Sequence, residues 1–324
     1  MEAPYSTFQK RKPGEPCGLA LGTMNFGKRT PADESLRIVR RAIERGIRVF
    51  DTANAYNAGE AERILGRAVG GDRDRVVLAT KVGFDRVAGK PEGLSRASIA
   101  RAVDGSLQRL GTDRIDLYYL HVPDHHTPID ETLDAMLELV RAGKVVAWGV
   151  SNYASWQILE MSGLAASRGL AKPVVSQVIY NVLHRQLDVE YFAFARYAGV
   201  HTTIFNPLAG GLLAGKHSFD AAPVKGSRFD DNAFYQRRYW TRSMFARVDE
   251  LRAVASREGI TMVQLAYAWA ASRPDVDSIV LGPATVSQLD DAVDAVALVL
   301  SKEALARIDE LSREWSGTDT SYVR

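Results

Sequence analysis

The feature that most constrains the fold is a repeat of short apolar runs, each followed by an amphipathic helical pattern. The first run, LALGTMNFG, precedes DESLRIVRRAIERG, in which Leu36, Val39 and Ile43 recur at helical spacing. Further units of the same kind follow, ending with DSIVLGPA and SQLDDAVDAVAL. The helical patterns end near Gly, and several begin at Ser, Asp or Thr. Eight such units predict an α/β fold, a closed (β/α)8 TIM barrel of parallel strands with an extra C-terminal helix.

No linker or composition break divides the 324 residues, so we predict a single domain over residues 1–324. One long interruption, from His217 to Trp240, follows the seventh predicted strand. A loop of that length inside a compact barrel is usually functional or partly mobile. It is therefore a candidate to close over a bound ligand.

Composition and charge exclude several classes of protein. The formal net charge is +2, and the Lys and Arg residues are scattered, which argues against nucleic acid as a partner. Cys17 is the only cysteine, so an internal disulfide and a Cys-based zinc site are excluded. His125 and His126 lack a third ligand at suitable spacing, and we predict no metal site. Because we find neither a signal peptide nor an apolar run of ~20 residues, we expect a cytoplasmic protein without a membrane partner.

Polar residues lie where the predicted strands end. Asp51, Lys81 and His121 end strands two, three and four, and Tyr56 follows Asp51 on the same loop. Strands five to seven end in further polar side chains, namely Ser151, Asn152, Gln177 and Asn206. Since the carboxyl ends of barrel strands form one mouth, we expect these side chains to share a site there.

The first four residues suggest acid catalysis at a carbonyl oxygen. A tyrosine phenol has a pKa of about 10 and is a poor acid, but the ammonium of Lys81 is expected to lower that value. Asp51 can pair with Lys81, and His121 can donate to or orient the carbonyl oxygen. Taken singly, each residue also fits a structural role, as a cap, loop packing, a solvated strand end or a satisfied polar group. Their joint placement at successive strand ends favours the catalytic hypothesis.

These motifs carry a family resemblance. Through GTMNFG, DTANAY, ATK, LHVPD, GVSN, QVIYN and NPLAGGLLAGK, the chain resembles an aldo-keto reductase over nearly its whole length. Within that family it most resembles the aflatoxin aldehyde reductase and succinic semialdehyde reductase branch, through LHVPDHHTPIDETL, GVSNYASW and the terminal YVR.

The resemblance implies NADPH-dependent reduction of an aldehyde or ketone, a small-molecule carbonyl, with Tyr56 as proton donor and Asp51, Lys81 and His121 completing a tetrad. It places the nicotinamide carboxamide on Ser151, Asn152 and Gln177 and the ring on Phe205. The pyrophosphate is expected along the segment from Asn206 to Lys216, which includes Pro207, Leu208, Gly210, Gly211 and Leu212. The adenosine end and its 2′-phosphate are expected at Gly282, Ala284, Thr285, Gln288 and Asp291, with Arg228 as a further cation for the cofactor.

Two positions depart from the wider family. Many relatives have Arg at the position of Gln288 and Asn at that of Ala292. Without a bidentate Arg contact to the 2′-phosphate, NADH use is possible as well, although NADPH is favoured.

The substrate expectation rests on the rim of the mouth. In the resembled branch an arginine near the C-terminus holds a carboxylate-bearing aldehyde, and Arg324 matches that position. Trp240 is expected to wall the pocket beside Tyr56 and His121, although aromatic residues of this loop can equally pack beneath it. A dicarbonyl aldehyde is a further substrate class that the resemblance allows.

Two alternatives remain open. The first is a nucleotide-binding regulatory protein similar to potassium-channel β-subunits, which share the barrel but have Asn in place of His121. The second is a sugar or glyceraldehyde dehydrogenase that works toward oxidation. The oligomeric state is also open, a homodimer being one alternative.

Overall fold

Eight parallel strands close into a barrel in a computed structural model that describes residues 4–87 and 89–318. The strands are β1 (Gly18–Gly22), β2 (Val49–Asp51), β3 (Val77–Val82), β4 (Ile115–Leu120), β5 (Val145–Ser151), β6 (Val175–Ile179), β7 (His201–Phe205) and β8 (Ser278–Leu281). Each strand pairs with its neighbour in the chain, and β8 closes the barrel against β1. The predicted (β/α)8 barrel is confirmed.

Helices follow the strands and surround the barrel. They are α1 (Ala32–Glu44), α2 (Glu60–Val69), α3 (Arg96–Leu110), α4 (Ile129–Arg141), α5 (Ser155–Ser167), α6 (Tyr191–Ala198), α7 (Arg242–Arg257), α8 (Met262–Ser272), α9 (Val286–Val296) and α10 (Lys302–Ser316). Local sequence sets their ends: Ser95 caps α3 by accepting a hydrogen bond from the Ser98 N–H, and Gly111 ends that helix with a φ of 65°. The last of them, α10, is the predicted extra C-terminal helix.

Residues alternate between two cores along each strand. Leu21, Phe50 and Leu78 point outward into the large core beneath the helices. Ala79 and Tyr119 belong to a smaller core inside the barrel. Because successive strand residues face opposite sides, one short strand supplies both cores.

One inward position requires glycine. A Cβ on Gly149 of β5 would lie 2.7 Å from the Val175 side chain and 3.1 Å from Cε1 of Tyr119. The missing side chain therefore makes room for the Tyr119 ring inside the barrel.

The segment after β7 differs from the single long loop that the sequence predicts. A short helix, Ala233–Tyr239, interrupts it. Phe229 in the middle of the stretch and Tyr239 near its end are fully buried in the large core, so the stretch is anchored at two points. The physical reason is that this segment contributes its own aromatic residues to the core.

No helix of the described residues has the length and apolar character needed to cross a membrane.

A buried ion pair ties α2 to α3 beside β3. Glu62 is fully buried, and its carboxylate accepts hydrogen bonds from the Arg109 Nε at 2.6 Å and from the Thr80 hydroxyl at 2.6 Å. A buried carboxylate without a cation is costly, so Arg109 is required once Glu62 is present.

We expect Arg109→Ala to lower the free energy of unfolding by about 3–5 kcal/mol, because it leaves the Glu62 carboxylate buried and unpaired. The matched control is Arg63→Ala on α2, since Arg63 pairs with Glu60 at an exposed surface and should change stability by no more than about 0.5 kcal/mol. Urea unfolding of both variants measures the difference. Equal losses would contradict this account of the pair.

Candidate active site

The four predicted catalytic residues meet at one mouth of the barrel. Asp51 ends β2, Lys81 lies near the end of β3, and His121 follows β4. Tyr56 begins a single helical turn, Tyr56–Gly59, after β2. The Lys81 Nζ lies 2.5 Å from Asp51 Oδ1 and 3.4 Å from the Tyr56 hydroxyl, and the Tyr56 and His121 rings are 6.0 Å apart.

The turn that carries Tyr56 is held by the loop of the neighbouring strand, β1. Asn57 has a φ of 51°, in the left-handed region, and its amide donates a hydrogen bond to the Phe26 carbonyl at 2.6 Å. Asn is among the few residues that tolerate this backbone conformation. The loop after β1 therefore sets the position of the phenol.

Lys81 is a fully buried cation. Its ammonium donates to Asp51 and to the Thr52 carbonyl, the latter at 2.8 Å. Burial lowers the pKa of Lys81, but the Asp51 carboxylate and the Tyr56 phenol more than offset burial, so the net pKa lies above its ordinary value. Lys81 is therefore charged at neutral pH.

The prediction that the pKa of Tyr56 is lowered is wrong in direction. The sequence predicts that Lys81 lowers the pKa of the phenol. In the structure burial of the phenol raises that pKa more than the Lys81 charge lowers it, and the net value is above the ordinary one. Tyr56 thus keeps its proton at neutral pH and is poised to donate it.

His121 is a buried neutral imidazole. Burial, and then the nearby Lys81 charge, hold its pKa well below its usual value. Its Nδ1 has no hydrogen-bond partner among the described residues. The ring can therefore offer one N–H to a carbonyl oxygen without adding a second positive charge beside Lys81.

The three residues predicted for the carboxamide lie side by side on β5 and β6. Asn152 has a φ of 64° and donates to the Ser151 hydroxyl and to the His121 carbonyl, both at 3.0 Å. Gln177 lies inside β6 rather than at its end, and its amide donates to Asp51 Oδ2 at 2.7 Å. Gln177 thus contacts the tetrad directly, which the sequence does not predict.

The segment from Asn206 to Lys216 forms a tight turn after Phe205, the half-buried last residue of β7. Asn206 has a φ of 63°, and its side-chain oxygen accepts the Gly210 N–H at 2.5 Å. Gly210 needs its missing side chain, because a Cβ would lie 2.7 Å from the Tyr235 ring. Pro207 and Leu212 are buried, Leu208 and Gly211 are half-buried, and Lys216 is exposed. Leu212 can therefore offer a ligand only its backbone.

The predicted adenosine end is a surface loop that leads into α9. Thr285 caps α9, and the Gln288 side chain accepts a hydrogen bond from the Ala284 N–H at 2.8 Å. Gly282 and Asp291 are exposed like Thr285 and Gln288, whereas Ala292 is buried against the core. Gln288 thus shapes the loop with its oxygen and keeps its NH₂ group available.

Two arginines stand beside this loop. Arg228 donates to the Asn25 side chain at 2.9 Å, and Asn25 in turn donates to the Gly282 carbonyl at 3.1 Å. Arg29 lies close enough that burial, and then the Arg228 charge, lower its pKa. Neither arginine has a salt bridge within residues 4–87 and 89–318. Such a pair of cations suits an anionic ligand, and Arg29 is a residue that the sequence reasoning missed.

Of the two further residues predicted to bind the substrate, the structure describes Trp240 but not Arg324. The Trp240 ring packs against His217, Phe229 and Phe245 at centroid distances of 5.3, 5.1 and 5.0 Å. Arg324 lies outside the described residues.

Phe84 is a residue at the mouth that the sequence does not predict. It is 59% exposed, and its ring lies 5.1 Å from the His121 ring. The sequence signal for this residue is an aromatic side chain three positions after Lys81.

The loop that carries Phe84 is held by a buried carboxylate. Glu92 accepts the Gly83 N–H at 2.7 Å and the Asn54 amide at 2.9 Å. This arrangement fixes Phe84 over the mouth. No group of three His, Cys, Asp or Glu side chains that could hold a metal occurs in the described part of the chain.

A cluster of titratable side chains at the carboxyl ends of barrel strands is the arrangement found in enzymes with this fold. Comparison with known proteins then gives the family: the chain belongs to the aldo/keto reductase family, which matches residues 18–313. It is an oxidoreductase, as the sequence resemblance predicts.

Several relatives are similar over most of the chain. Aflatoxin B1 aldehyde reductase member 2 of Homo sapiens is 35% identical over 303 residues, covering 88% of this chain and 83% of the relative. Aldo-keto reductase family 7 member A3 of Homo sapiens is 38% identical, covering 81% and 77%. A probable voltage-gated potassium channel subunit beta of Arabidopsis thaliana is 32% identical, covering 94% and 97%. The resemblance to the aflatoxin aldehyde reductase branch is confirmed.

We expect the neutral state of His121 to make the protein sensitive to acid. Its pKa is lower in the folded chain than in the unfolded chain, so the unfolded state takes up a proton first as pH falls. The stability is fully present above the unfolded value of about 6.5 and declines below it, by up to about 1.4 kcal/mol per pH unit. Urea unfolding of wild type and His121→Asn between pH 7 and pH 5 should show a smaller slope in the variant. Identical slopes would mean that His121 is not held neutral.

Proposed function

We propose that the protein reduces aldehydes and ketones to alcohols with NADPH, and that Tyr56 donates the proton. The observation that carries this proposal is a buried row of hydrogen bonds, from Lys81 to Asp51 and to Tyr56, which lies beside a neutral His121. A bound reduced nicotinamide supplies the hydride in such a reaction. The chain supplies the acid, the donor to the carbonyl oxygen and the dry surroundings that strengthen both.

The roles of the four residues follow from their charges. His121 can donate an N–H to the substrate oxygen and hold it near the Tyr56 hydroxyl. As negative charge develops on that oxygen, the phenol proton moves to it, and the positive charge of Lys81 stabilises the phenolate that remains. Asp51 holds the ammonium in place and balances its charge.

The protonation state of Tyr56 is the one that carbonyl reduction uses. Reduction needs the protonated phenol, whereas oxidation of an alcohol needs the phenolate. Because the pKa of Tyr56 is raised, the phenol predominates at neutral pH. The presence of His121 argues against a regulatory role of the channel-subunit kind, since the carbonyl-orienting group is retained.

The cofactor preference rests on the two arginines. Phosphate is recognised well by guanidinium groups, and neither Arg29 nor Arg228 forms a salt bridge within the described residues. Arg228 adjoins the Gly282 loop through Asn25. We therefore assign these residues to the 2′-phosphate and favour NADPH over NADH.

The substrate class is an aldehyde, in keeping with the names of the aldehyde reductase relatives. Phe84 over His121 gives the mouth an aromatic wall, which suits an apolar or aromatic carbonyl compound. A carboxylate-bearing aldehyde, held by Arg324, stays a prediction from the sequence.

The proposed role of Tyr56 is tested by Tyr56→Phe. We expect the wild type to consume NADPH with 4-nitrobenzaldehyde, followed as loss of absorbance by the reduced nicotinamide, and the variant to lose about 10²- to 10⁴-fold in turnover. Tyr267→Phe serves as the matched control because that tyrosine is buried in α8 away from the mouth. Wild-type turnover in Tyr56→Phe would refute the assignment.

The cofactor assignment is tested by dissociation constants for NADPH and NADH. For Arg228→Ala we expect about tenfold weaker NADPH binding, since a charge-assisted phosphate contact is lost, and little change for NADH. Arg196→Ala, at an exposed position on α6, is the control and should change neither value. If Arg228→Ala weakens both cofactors equally, the residue does not read the 2′-phosphate.

A further inference from the structure

The barrel has an opening at the end opposite the tetrad. A cavity of about 430 Å³ begins there among Lys10, Lys12 and Arg48 and runs into the barrel. Its inner lining includes Asp51, Tyr119 and Gln177. Asp51 is the only tetrad residue among those lining it, so the cavity meets the site from behind.

The cavity exists because the barrel is filled unevenly. Phe8 enters from the N-terminal segment and packs with Leu117 and Val175 in the inner core. Near the opening, Gly18 and Ala20 of β1 and Ser278 of β8 are small residues that line the open space together with Phe8. Bulky branched side chains usually fill the interior of such a barrel, and the small residues here leave space unfilled.

Polar groups continue through the cavity wall. The His201 Nε2 lies 2.8 Å from the Ser278 hydroxyl, which lies 2.8 Å from the Thr203 hydroxyl. Tyr119, Thr203 and Gln177 line the same wall further in. A polar space of this volume holds several water molecules, each of which occupies about 30 Å³ in the liquid.

The reaction creates a need for such a path. Each reduction adds a hydride to the carbonyl carbon and the Tyr56 proton to the carbonyl oxygen, which leaves a phenolate. On the proposed function, cofactor and product then cover the mouth. The Tyr56 phenolate faces Lys81. Within the described residues, the Lys81 ammonium donates hydrogen bonds only to Asp51, Thr52 and Tyr56.

We propose that Tyr56 is reprotonated from the bottom of the barrel, through this cavity. The Lys81 ammonium gives a proton to the phenolate and becomes an amine; the Asp51 carboxylate takes one proton from cavity water and passes it to that amine, which restores both the ammonium and the carboxylate. The net uptake is one proton from solvent per carbonyl reduced, with no further oxidant or reductant. This inference rests on the proposed function and adds the source of its proton.

The test is to fill the cavity without touching the tetrad. Ala20→Leu projects a larger apolar side chain into the space, and Ala20→Ser at the same position keeps the space open and is the matched control. Ser278→Leu fills the cavity from the neighbouring strand and replaces Ala20→Leu if that variant does not fold, as judged by its thermal unfolding midpoint.

Stopped-flow mixing with NADPH and 4-nitrobenzaldehyde in weak buffer follows two signals in one turnover, the nicotinamide absorbance and a pH-indicator dye. In the wild type and Ala20→Ser we expect proton uptake to keep pace with hydride transfer. In the filled variant we expect hydride transfer at nearly the wild-type rate, because Tyr56 already carries its proton, and proton uptake slower by about tenfold or more.

The two proposals fail in different ways. If the wild type shows no loss of nicotinamide absorbance with any carbonyl, the proposed function fails. If the wild type turns over and a folded, filled variant takes up its proton at the wild-type rate, the rear path is overturned and the proton enters through the mouth.

Discussion

The buried pair of Lys81 and Asp51 is the interaction on which the site depends. Two charges removed from water are tolerated only when they meet closely and their remaining bonds are satisfied. Here the Asp51 oxygens accept from Lys81 and Gln177, and Lys81 also donates to the Thr52 carbonyl. The parallel register of β2 and β3 brings the two residues together: Asp51 pairs with Ala79, and Lys81 lies two residues further along β3 on the same face as Ala79. Three strands are thereby fixed around one charge pair.

The same pair sets the protonation states around it. The Lys81 charge contributes to keeping His121 neutral and partly opposes the effect of burial on Tyr56. A protonated phenol and a neutral imidazole are the two forms that can both donate to a carbonyl oxygen. The electrostatics of the mouth are therefore matched to an acceptor that arrives uncharged and becomes negative.

The sequence was sufficient for the barrel and for the tetrad, because both depend on short-range patterns. Short apolar runs, helix caps and the placement of Asp51, Lys81 and His121 at strand ends are all local features. The sign of the Tyr56 shift was not predictable, since it depends on how completely the phenol is buried by distant segments. Arg29 and Phe84 were missed for a similar reason: each acts through a neighbour remote in sequence, Arg228 for one and His121 for the other. The helix within the segment after β7 was obscured by its mixture of charged and aromatic residues.

Tyr239 joins two parts of the mouth that the chain separates. Its hydroxyl accepts hydrogen bonds from Asn206 at 2.8 Å and from Asn181 at 3.2 Å, while its ring is fully buried. Asn206 opens the turn after β7, and Tyr239 ends the short helix beside Trp240. The turn and the helix are consequently expected to move together. Evolution or engineering cannot reshape the helix side of the mouth independently, because any displacement of Tyr239 is transmitted to the backbone that Asn206 holds.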